Sequence, residues 1–339
     1  MKNKIVLLIA ILLVIIGLTG CSFVQFSSTT KKIVTTLYAE YDMIVGIIGD
    51  DKETQNLFDV EMIIKPGQDS HVYDPSVHDL IKIKNSDLFI FTSLEMETWV
   101  NDIEFLETTK VVNLSKDSRI ELLNVEEETE EEHEHEHSHE HNHAHAYDPH
   151  YWLYPIYATY MVEQIKDAII SVTADPDGTK TKIFEKNAEA YINELLKCDE
   201  MLKYVVNNAN NHTLYFGSPF SFYYVSHFYG LEYEIVYSTC STETEPSIEV
   251  LEEIIGKMRK NDINVIFSKE LINTQACQMI AFHTGAEILE LHSGHNISAL
   301  EFKENRKSYL DIYKQNIINI AKMLKVDESI VDNLWKEEA

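Results

Sequence analysis

The sequence predicts an α/β protein with two parallel-sheet lobes joined by one long backbone helix. Its 339 residues are enough for two domains with cores of their own. Short β-branched runs alternate with helical stretches in residues 31–91, and the same alternation returns in residues 213–290. Strands that alternate with helices pair in parallel. Between the two series, residues 179–210 contain no Gly or Pro, which predicts a continuous helix.

The first twenty residues have the pattern of a secretion signal. Lys2 and Lys4 precede an apolar run over residues 5–18, which is shorter than the roughly 20 residues that span a bilayer. Small residues then lead to Cys21, as in the lipobox of bacterial lipoproteins. We expect cleavage after residue 20 and lipidation of Cys21, which anchors the chain at the extracellular face of the bacterial cytoplasmic membrane. A plain membrane anchor with an incidental cysteine is the alternative.

The predicted N-terminal lobe covers residues 31–175. A capping box at Ser76 and Asp79 begins a helix that runs to about Lys84. The candidate strands are residues 31–37, 60–64 and 87–91.

The predicted linking helix covers residues 178–210 and the C-terminal lobe residues 212–339. At 1.5 Å per residue, the helix is about 48 Å long, more than a small lobe needs for its own packing. Another helix opens at Ser247. The candidate strands of this lobe are residues 213–216, 233–236, 264–267 and 287–290.

The chain is strongly acidic, with 56 Asp and Glu against 28 Lys and Arg, a net charge of −28. This balance excludes a nucleic-acid partner, because affinity for phosphate comes from clustered cations. It also excludes electrostatic attachment to anionic lipids. An acidic surface instead attracts cations.

The acidity is concentrated in a His/Glu-rich segment at residues 126–145. Its composition predicts a flexible loop, since like charges repel and little surface can be buried. Frames such as that from His133 to His137 match H-E-x-x-H, but only because Glu and His alternate, and no metalloprotease helix is indicated. Imidazole binds Zn, Cu and Ni, so the segment is predicted to collect metal. It holds nine Glu and seven His, the latter being His133, His135, His137, His139, His141, His143 and His145.

Two further histidines have informative surroundings. His71 lies in a loop after a candidate strand and before a capped helix, and ligands of open α/β sheets bind beyond the carboxyl ends of strands. His150 follows the metal-collecting segment directly. Together with that segment, they predict a metal site.

At these positions the chain resembles the lipid-anchored solute-binding proteins of bacterial zinc and manganese ABC importers. The resemblance implies two α/β lobes joined by one helix with the metal in the cleft between them, and His71 and His150 as ligands from the first lobe. It also implies an ABC permease and its ATPase as partners. The matching motifs are G-x-D-x-H-x-Y-x-P-S at 67–76, D-P-H-x-W-L-x-P at 148–155, Tyr-Gly-Leu at 229–231 and Glu-Pro-Ser at 245–247.

The C-terminal lobe departs from the family pattern. The third ligand of the family would fall at Pro219, which has no ligating side chain, and the fourth corresponds to His292. We expect His292 and His295 to complete the site, giving four imidazoles for tetrahedral Zn²⁺. Three histidines plus water is the alternative, with the other histidine only supporting a ligand. Glu243 or Glu245 is a possible additional ligand.

The predicted function is capture of Zn²⁺ as the transported solute and its delivery to the permease by a monomer. Nitrogen ligands disfavour Mn²⁺, which prefers carboxylates and water. No nucleophile stands with a base at motif spacing, so we expect no enzyme. The alternatives are a surface adhesin with a structural or vestigial metal site, a Mn²⁺-specific importer component, and a surface zinc hydrolase, which needs an open coordination position and a general base.

Overall fold

A computed structural model describes residues 30–124, 147–237, 246–272, 274–304, 307–327, 329 and 331. The described residues from Lys31 onward belong to one compact unit. Four features predicted from the sequence lie outside the described residues: Cys21, the His/Glu-rich segment, Glu243 and Glu245.

The first lobe is built on a four-stranded parallel sheet in the order β2-β1-β3-β4. The strands are β1 (Lys31–Thr35), β2 (Phe58–Met62), β3 (Leu88–Phe91) and β4 (Lys110–Asn113). Ile33 of the central β1 lies opposite Val60 on one side and Leu88 on the other. The sequence reading missed β4, an edge strand whose side chains are exposed or half-buried and therefore lack an apolar run.

Four helices accompany the first sheet. Ser76 caps α3 by accepting a hydrogen bond from the Asp79 N–H, and the Asp79 carboxylate accepts one from the Ser76 N–H in return, as the capping box predicted. Pro155 begins α4 at a position where its missing N–H costs nothing. The helices are α1 (Tyr38–Ile48), α2 (Lys52–Gln55), α3 (Val77–Lys84) and α4 (Pro155–Val172).

A helix of 30 residues, α5 (Thr179–Asn208), leads from the first lobe to the second. Its buried face includes Phe184, Tyr191, Leu195 and Leu202 at helical spacing. It packs against α1 and α4 of the first lobe and against the C-terminal helix of the second.

The second lobe repeats the architecture with a parallel sheet in the order β6-β5-β7-β8. The predicted fold class, two parallel-sheet lobes and one long helix, is confirmed. The strands are β5 (Thr213–Phe216), β6 (Glu232–Ile235), β7 (Val265–Ser268) and β8 (Glu287–Glu290), and the helices are α6 (Tyr223–Tyr229), α7 (Ile248–Lys260), α8 (Gln275–Thr284), α9 (Ala299–Glu304) and α10 (Tyr309–Met323).

Loops at the carboxyl ends of both sheets are hydrogen-bonded across the junction of the lobes. The indole N–H of fully buried Trp152 donates to the Ser293 carbonyl at 2.8 Å, and the Tyr309 hydroxyl donates to the Trp152 carbonyl at 2.6 Å. The Gly67 N–H donates to the Ile297 carbonyl at 2.8 Å. Among the described helices, none combines the length and the apolar character that a bilayer span requires.

Candidate metal centre

Three imidazoles from the two lobes meet where these loops converge. His71 lies in the loop between β2 and α3, His150 just before α4, and His295 in the loop after β8. Their ring centroids are 4.8–5.5 Å apart. One ring nitrogen from each forms a group in which all three atoms lie within 4.8 Å of one another. The three nitrogens therefore lie beyond the carboxyl ends of the strands, where open α/β sheets bind their ligands.

His150 is oriented by a carboxylate two residues before it. Its backbone N–H donates to Asp148 Oδ1 at 2.9 Å, and its Nδ1 lies 3.0 Å from Asp148 Oδ2. The carboxylate accepts the Nδ1 proton, which leaves the Nε2 lone pair available. His150 is fully buried, and its Nε2 has no hydrogen-bond partner. A buried nitrogen of this kind is stabilised by a metal ion.

His295 is oriented through a hydroxyl instead. Its Nδ1 contacts Ser293 Oγ, and that hydroxyl donates to Oε1 of Glu270. His295 Nε2 is buried without a hydrogen-bond partner. Burial, together with the positive charge of Lys269, lowers the pKa of His295 well below its ordinary value. The ring is therefore neutral at physiological pH, as a metal ligand must be.

His71 is the most exposed of the three and is still half-buried. Its backbone N–H donates to Asp69 Oδ1 at 2.9 Å, in a turn that follows Gly67 with φ +86°. Glycine adopts this left-handed conformation without strain. The turn presents the His71 ring to both His150 and His295.

The structure does not bring His292 into the cluster. Its Nδ1 accepts a hydrogen bond from the Gly294 N–H at 3.0 Å, so that lone pair is occupied. Its backbone N–H and carbonyl are both bonded to the side chain of Asn316, each at 2.8 Å. Of the two histidines predicted from this turn, only His295 lies with His71 and His150.

The β5 end of the second lobe, where Pro219 stands, supplies no ligand to this cluster. Ser218 is buried and its hydroxyl accepts a hydrogen bond from the Lys269 N–H at 2.7 Å, so it is committed to the backbone. His227 and His283 lie on α6 and α8 with exposed side chains, outside the cluster.

Sequence reasoning missed the two carboxylates that orient the ligands. Asp148 stands two residues before His150, and that spacing was a usable signal, since an Asp at this position can bond both the N–H and the ring of the histidine. Glu270 is 23 residues before Ser293. It gave no local signal, because the contact depends on how β7 and β8 pair.

Three neutral imidazole nitrogens fit a late first-row metal such as Zn²⁺. At 2.0–2.1 Å per Zn–N bond, tetrahedral ligands lie about 3.3 Å apart, so a change of about 1.5 Å at most brings these atoms into range. Two of the three rings have their outer nitrogen fixed by Asp148 or Ser293, which is the usual support of a metal-bound histidine.

Two α/β lobes that hold imidazoles between them define a metal-binding protein of the solute-binding class. The family described as "ZnuA: Zinc-uptake complex component A periplasmic" matches residues 33–323, so the chain belongs to this family.

Named relatives agree with that assignment. The zinc-binding lipoprotein AdcA of Streptococcus pneumoniae is 31% identical over 93% of this chain, which spans only 60% of that protein. The zinc uptake protein ZnuA of Bacillus subtilis is 29% identical, with 91% of this chain and 93% of that protein covered. The Zn(II)-bound ZnuA-like domain of S. pneumoniae AdcA superposes with a TM-score of 0.69 at 25% identity, covering 87% of this chain and 99% of that domain.

Proposed function

We propose that this chain is the extracellular zinc-binding component of an ABC importer and that it delivers Zn²⁺ to a membrane permease. The observation that carries the proposal is the convergence of three imidazole nitrogens from both lobes within 4.8 Å of one another. A ligand set divided between lobes couples metal occupancy to their relative position. Release then needs a docked state that binds zinc more weakly, since tight binding alone moves no equilibrium.

Zinc is favoured over manganese by the donor atoms. All three clustered ligands are nitrogens, whereas Mn²⁺ prefers carboxylate and water oxygens. The names of the AdcA and ZnuA relatives support the same choice.

A hydrolytic role is disfavoured by where the carboxylates point. Asp148 bonds Nδ1 of His150, and Glu270 reaches His295 through Ser293 on its Nδ1 side. Both acids therefore lie behind the ligands and not beside the Nε2 atoms, where a general base would act on a metal-bound water.

The His/Glu-rich segment is proposed to collect the metal. Asn124 and Tyr147, the described residues at its two ends, form an antiparallel bridge, and Tyr147 precedes His150 by three residues. Metal held by the segment is thus released close to the buried site. Lipidation at Cys21 would keep the chain beside the permease at the extracellular face of the membrane, and the lipoprotein name of the AdcA relative supports it.

The test is zinc titration, against a competing chelator, of the mature chain from Cys21 and of a His71→Ala, His150→Ala variant. We expect the parent to bind one equivalent of zinc tightly. The variant should lose more than about a hundredfold in zinc affinity, which exceeds the effect of removing a residue that only supports a ligand. The matched control is His227→Ala, His283→Ala, which removes two exposed imidazoles. Unchanged tight binding in the first variant would refute the proposal.

A second variant separates the collecting segment from the buried site. Deleting residues 126–145 should remove weak, multiple binding and leave the tight equivalent. If the tight equivalent disappears with the segment, the segment itself is the site, and the proposed division of roles is wrong.

A further inference from the structure

The loop that carries His295 follows β8 of the second lobe, but it is hydrogen-bonded mainly to the first lobe. We call residues 293–297 the His295 loop. The Tyr38 N–H donates to the His295 carbonyl at 2.8 Å. The Ala39 N–H donates to the Gly294 carbonyl at 3.1 Å. These donors begin α1, where backbone N–H groups have no partner within the helix, so the loop caps a helix of the first lobe.

The end of the His295 loop is tied to the first lobe as well. Asn296 Nδ2 donates to the carbonyls of Lys65 and Gln68 at 2.8 and 2.9 Å. Ile297 is buried in an apolar cluster that includes Tyr38 of α1. These contacts add to the hydrogen bonds across the lobe junction described above.

The second lobe holds the His295 loop through one carboxylate. Glu270, two residues after β7, accepts from the N–H of Ser293 at 2.9 Å and from its hydroxyl. Among the described residues, the only other hydrogen bond from this lobe to the loop is the local one between His292 and Gly294. The loop is therefore fixed to its own lobe at a single side chain.

A cavity of about 250 Å³ separates the lobes beside this link. Its walls are residues 67–70 of the first lobe and residues 269–272 of the second. The carboxylate of Glu270 can therefore be hydrated there once it leaves Ser293.

The two ways of detaching the His295 loop differ in what they break. Leaving the first lobe breaks the hydrogen bonds of three backbone N–H groups, of the Asn296 amide and of the Trp152 indole. Leaving the second lobe breaks those of one carboxylate, which water can replace. Because each buried hydrogen bond contributes to stability, separation at Glu270 costs less.

We propose that the lobes part between Ser293 and Glu270, so that all three imidazoles stay on the first lobe when zinc is released. The inference rests on the proposed function and specifies how lobe position changes zinc affinity. Departure of Glu270 removes a negative charge from behind His295 and frees the Ser293 hydroxyl that contacts its ring. The site then binds the cation more weakly while the imidazoles remain together. Glu270 is thus a positioning residue through which the second lobe acts on the metal.

The test is residue-resolved amide hydrogen exchange of the mature chain, with and without one equivalent of Zn²⁺. The Ser293 N–H reports the link to Glu270. The anchors on the first lobe are reported by the N–H groups of Tyr38, Ala39 and Gly67. On removal of zinc, exchange at Ser293 should accelerate about tenfold or more, and exchange at the three first-lobe amides should change by less than about twofold, since exchange follows local opening.

A variant tests the anchors directly. Asn296→Ala removes two hydrogen bonds of the loop to the first lobe, so it should speed exchange at Gly67 and weaken zinc binding about tenfold. The matched control is Asn261→Ala, which removes a hydrogen bond to the Tyr215 hydroxyl elsewhere in the second lobe and should match the parent. Unchanged exchange and affinity in Asn296→Ala would show that the anchors do not hold the loop and would overturn the inference.

The remaining outcomes are also decisive. Faster exchange at the first-lobe amides on removal of zinc, with or without a change at Ser293, shows that the loop leaves the first lobe and overturns the inference while the zinc site stands. Unchanged exchange at all four amides overturns it too, because the lobes then do not part at this link. A parent chain that binds no zinc tightly refutes the proposed function itself.

Discussion

Each lobe buries a glutamate that follows a strand of its sheet. The two environments shift the pKa of that glutamate in opposite directions. Glu97 follows β3 of the first lobe and Glu270 follows β7 of the second, with exposures of 1% and 4%. Burial and the charge of nearby Glu40 raise the pKa of Glu97 to about 8. The pKa of Glu270 is lowered, because His292, Lys269 and Ser293 outweigh the effect of burial.

In the first lobe, the carboxyl groups of Glu97 and Glu40 share a hydroxyl donor. Among the described residues, no basic side chain is hydrogen-bonded to either of them. Thr36 Oγ1 lies 2.6 Å from Glu97 Oε1 and 3.0 Å from Glu40 Oε2. One hydroxyl proton cannot make two full hydrogen bonds, so the arrangement favours a protonated carboxyl group that donates to Thr36, in agreement with the raised pKa of Glu97. Burial also raises the pKa of Glu40, and that of the neighbouring Tyr151, which stays neutral.

In the second lobe, the carboxylate of Glu270 keeps its charge and uses it on the ligands. It accepts from the N–H and the hydroxyl of Ser293, and it lies 3.8–3.9 Å from the Nδ1 atoms of His292 and His295. The difference teaches that burial beside a second acid favours the protonated carboxyl group, whereas nearby basic groups and hydrogen-bond donors keep a buried carboxylate ionised. The first lobe's pair supports the fold, and the second lobe's acid supports the site.

The largest effect is expected from Glu97→Gln, measured as stability against pH. Between about pH 4.5, the ordinary value, and about 8, the folded chain holds a proton on this pair that the unfolded chain has released. The contribution of this proton to the free energy of unfolding is therefore fully present below pH 4.5. It falls as the pH rises toward 8, by up to about 1.4 kcal/mol per pH unit. Glutamine resembles the protonated acid and does not titrate. The free energy of unfolding of the variant, relative to the parent, should therefore increase by a few kcal/mol from pH 5 to pH 8.

Urea unfolding at pH 5, 6.5 and 8 measures this gain, with Glu107→Gln as the control, because Glu107 is exposed. Parallel stability curves for Glu97→Gln and its parent would show that the pair holds no proton in this range.

The second prediction compares the same substitution in the two lobes by its effect on zinc affinity. Glu270→Gln should weaken zinc binding by about ten- to hundredfold, since it removes a charge that supports His295 behind the metal. Glu97→Gln should leave zinc affinity within about twofold, because that variant lies outside the site. Chelator competition at pH 7 compares the two. Equal losses would mean that both acids act through the fold, and the contrast between the lobes would be lost.

The parts of this molecule that were predictable from the sequence are those encoded locally. Ser76 and Asp79 form the predicted cap, and His71 and His150 lie together in motifs that are contiguous in the chain. The choice between His292 and His295 was not predictable, because both lie in one turn. It depends on the Gly294 N–H and on Asn316 from α10, contacts that only the folded chain creates. Glu270 was missed because its contact with Ser293 also exists only in the folded chain, and β4 was missed because this exposed edge strand has no apolar run.

The smallest effect is expected from Ser293→Ala, which breaks the link between Glu270 and His295 without changing either charge. The contact is relayed through one hydroxyl, whereas Asp148 bonds its histidine directly. The hydrogen bond that orients the ligand is the one between His295 Nδ1 and Ser293 Oγ, which joins two neutral groups. Its loss costs about 1 kcal/mol, so zinc affinity should fall roughly fivefold. Ser226→Ala is the matched control, since that hydroxyl is equally buried in the second lobe and has no hydrogen-bond partner. A loss as large as that of Glu270→Gln would show that Glu270 acts on the site entirely through this hydroxyl, and no loss would show that its field alone suffices.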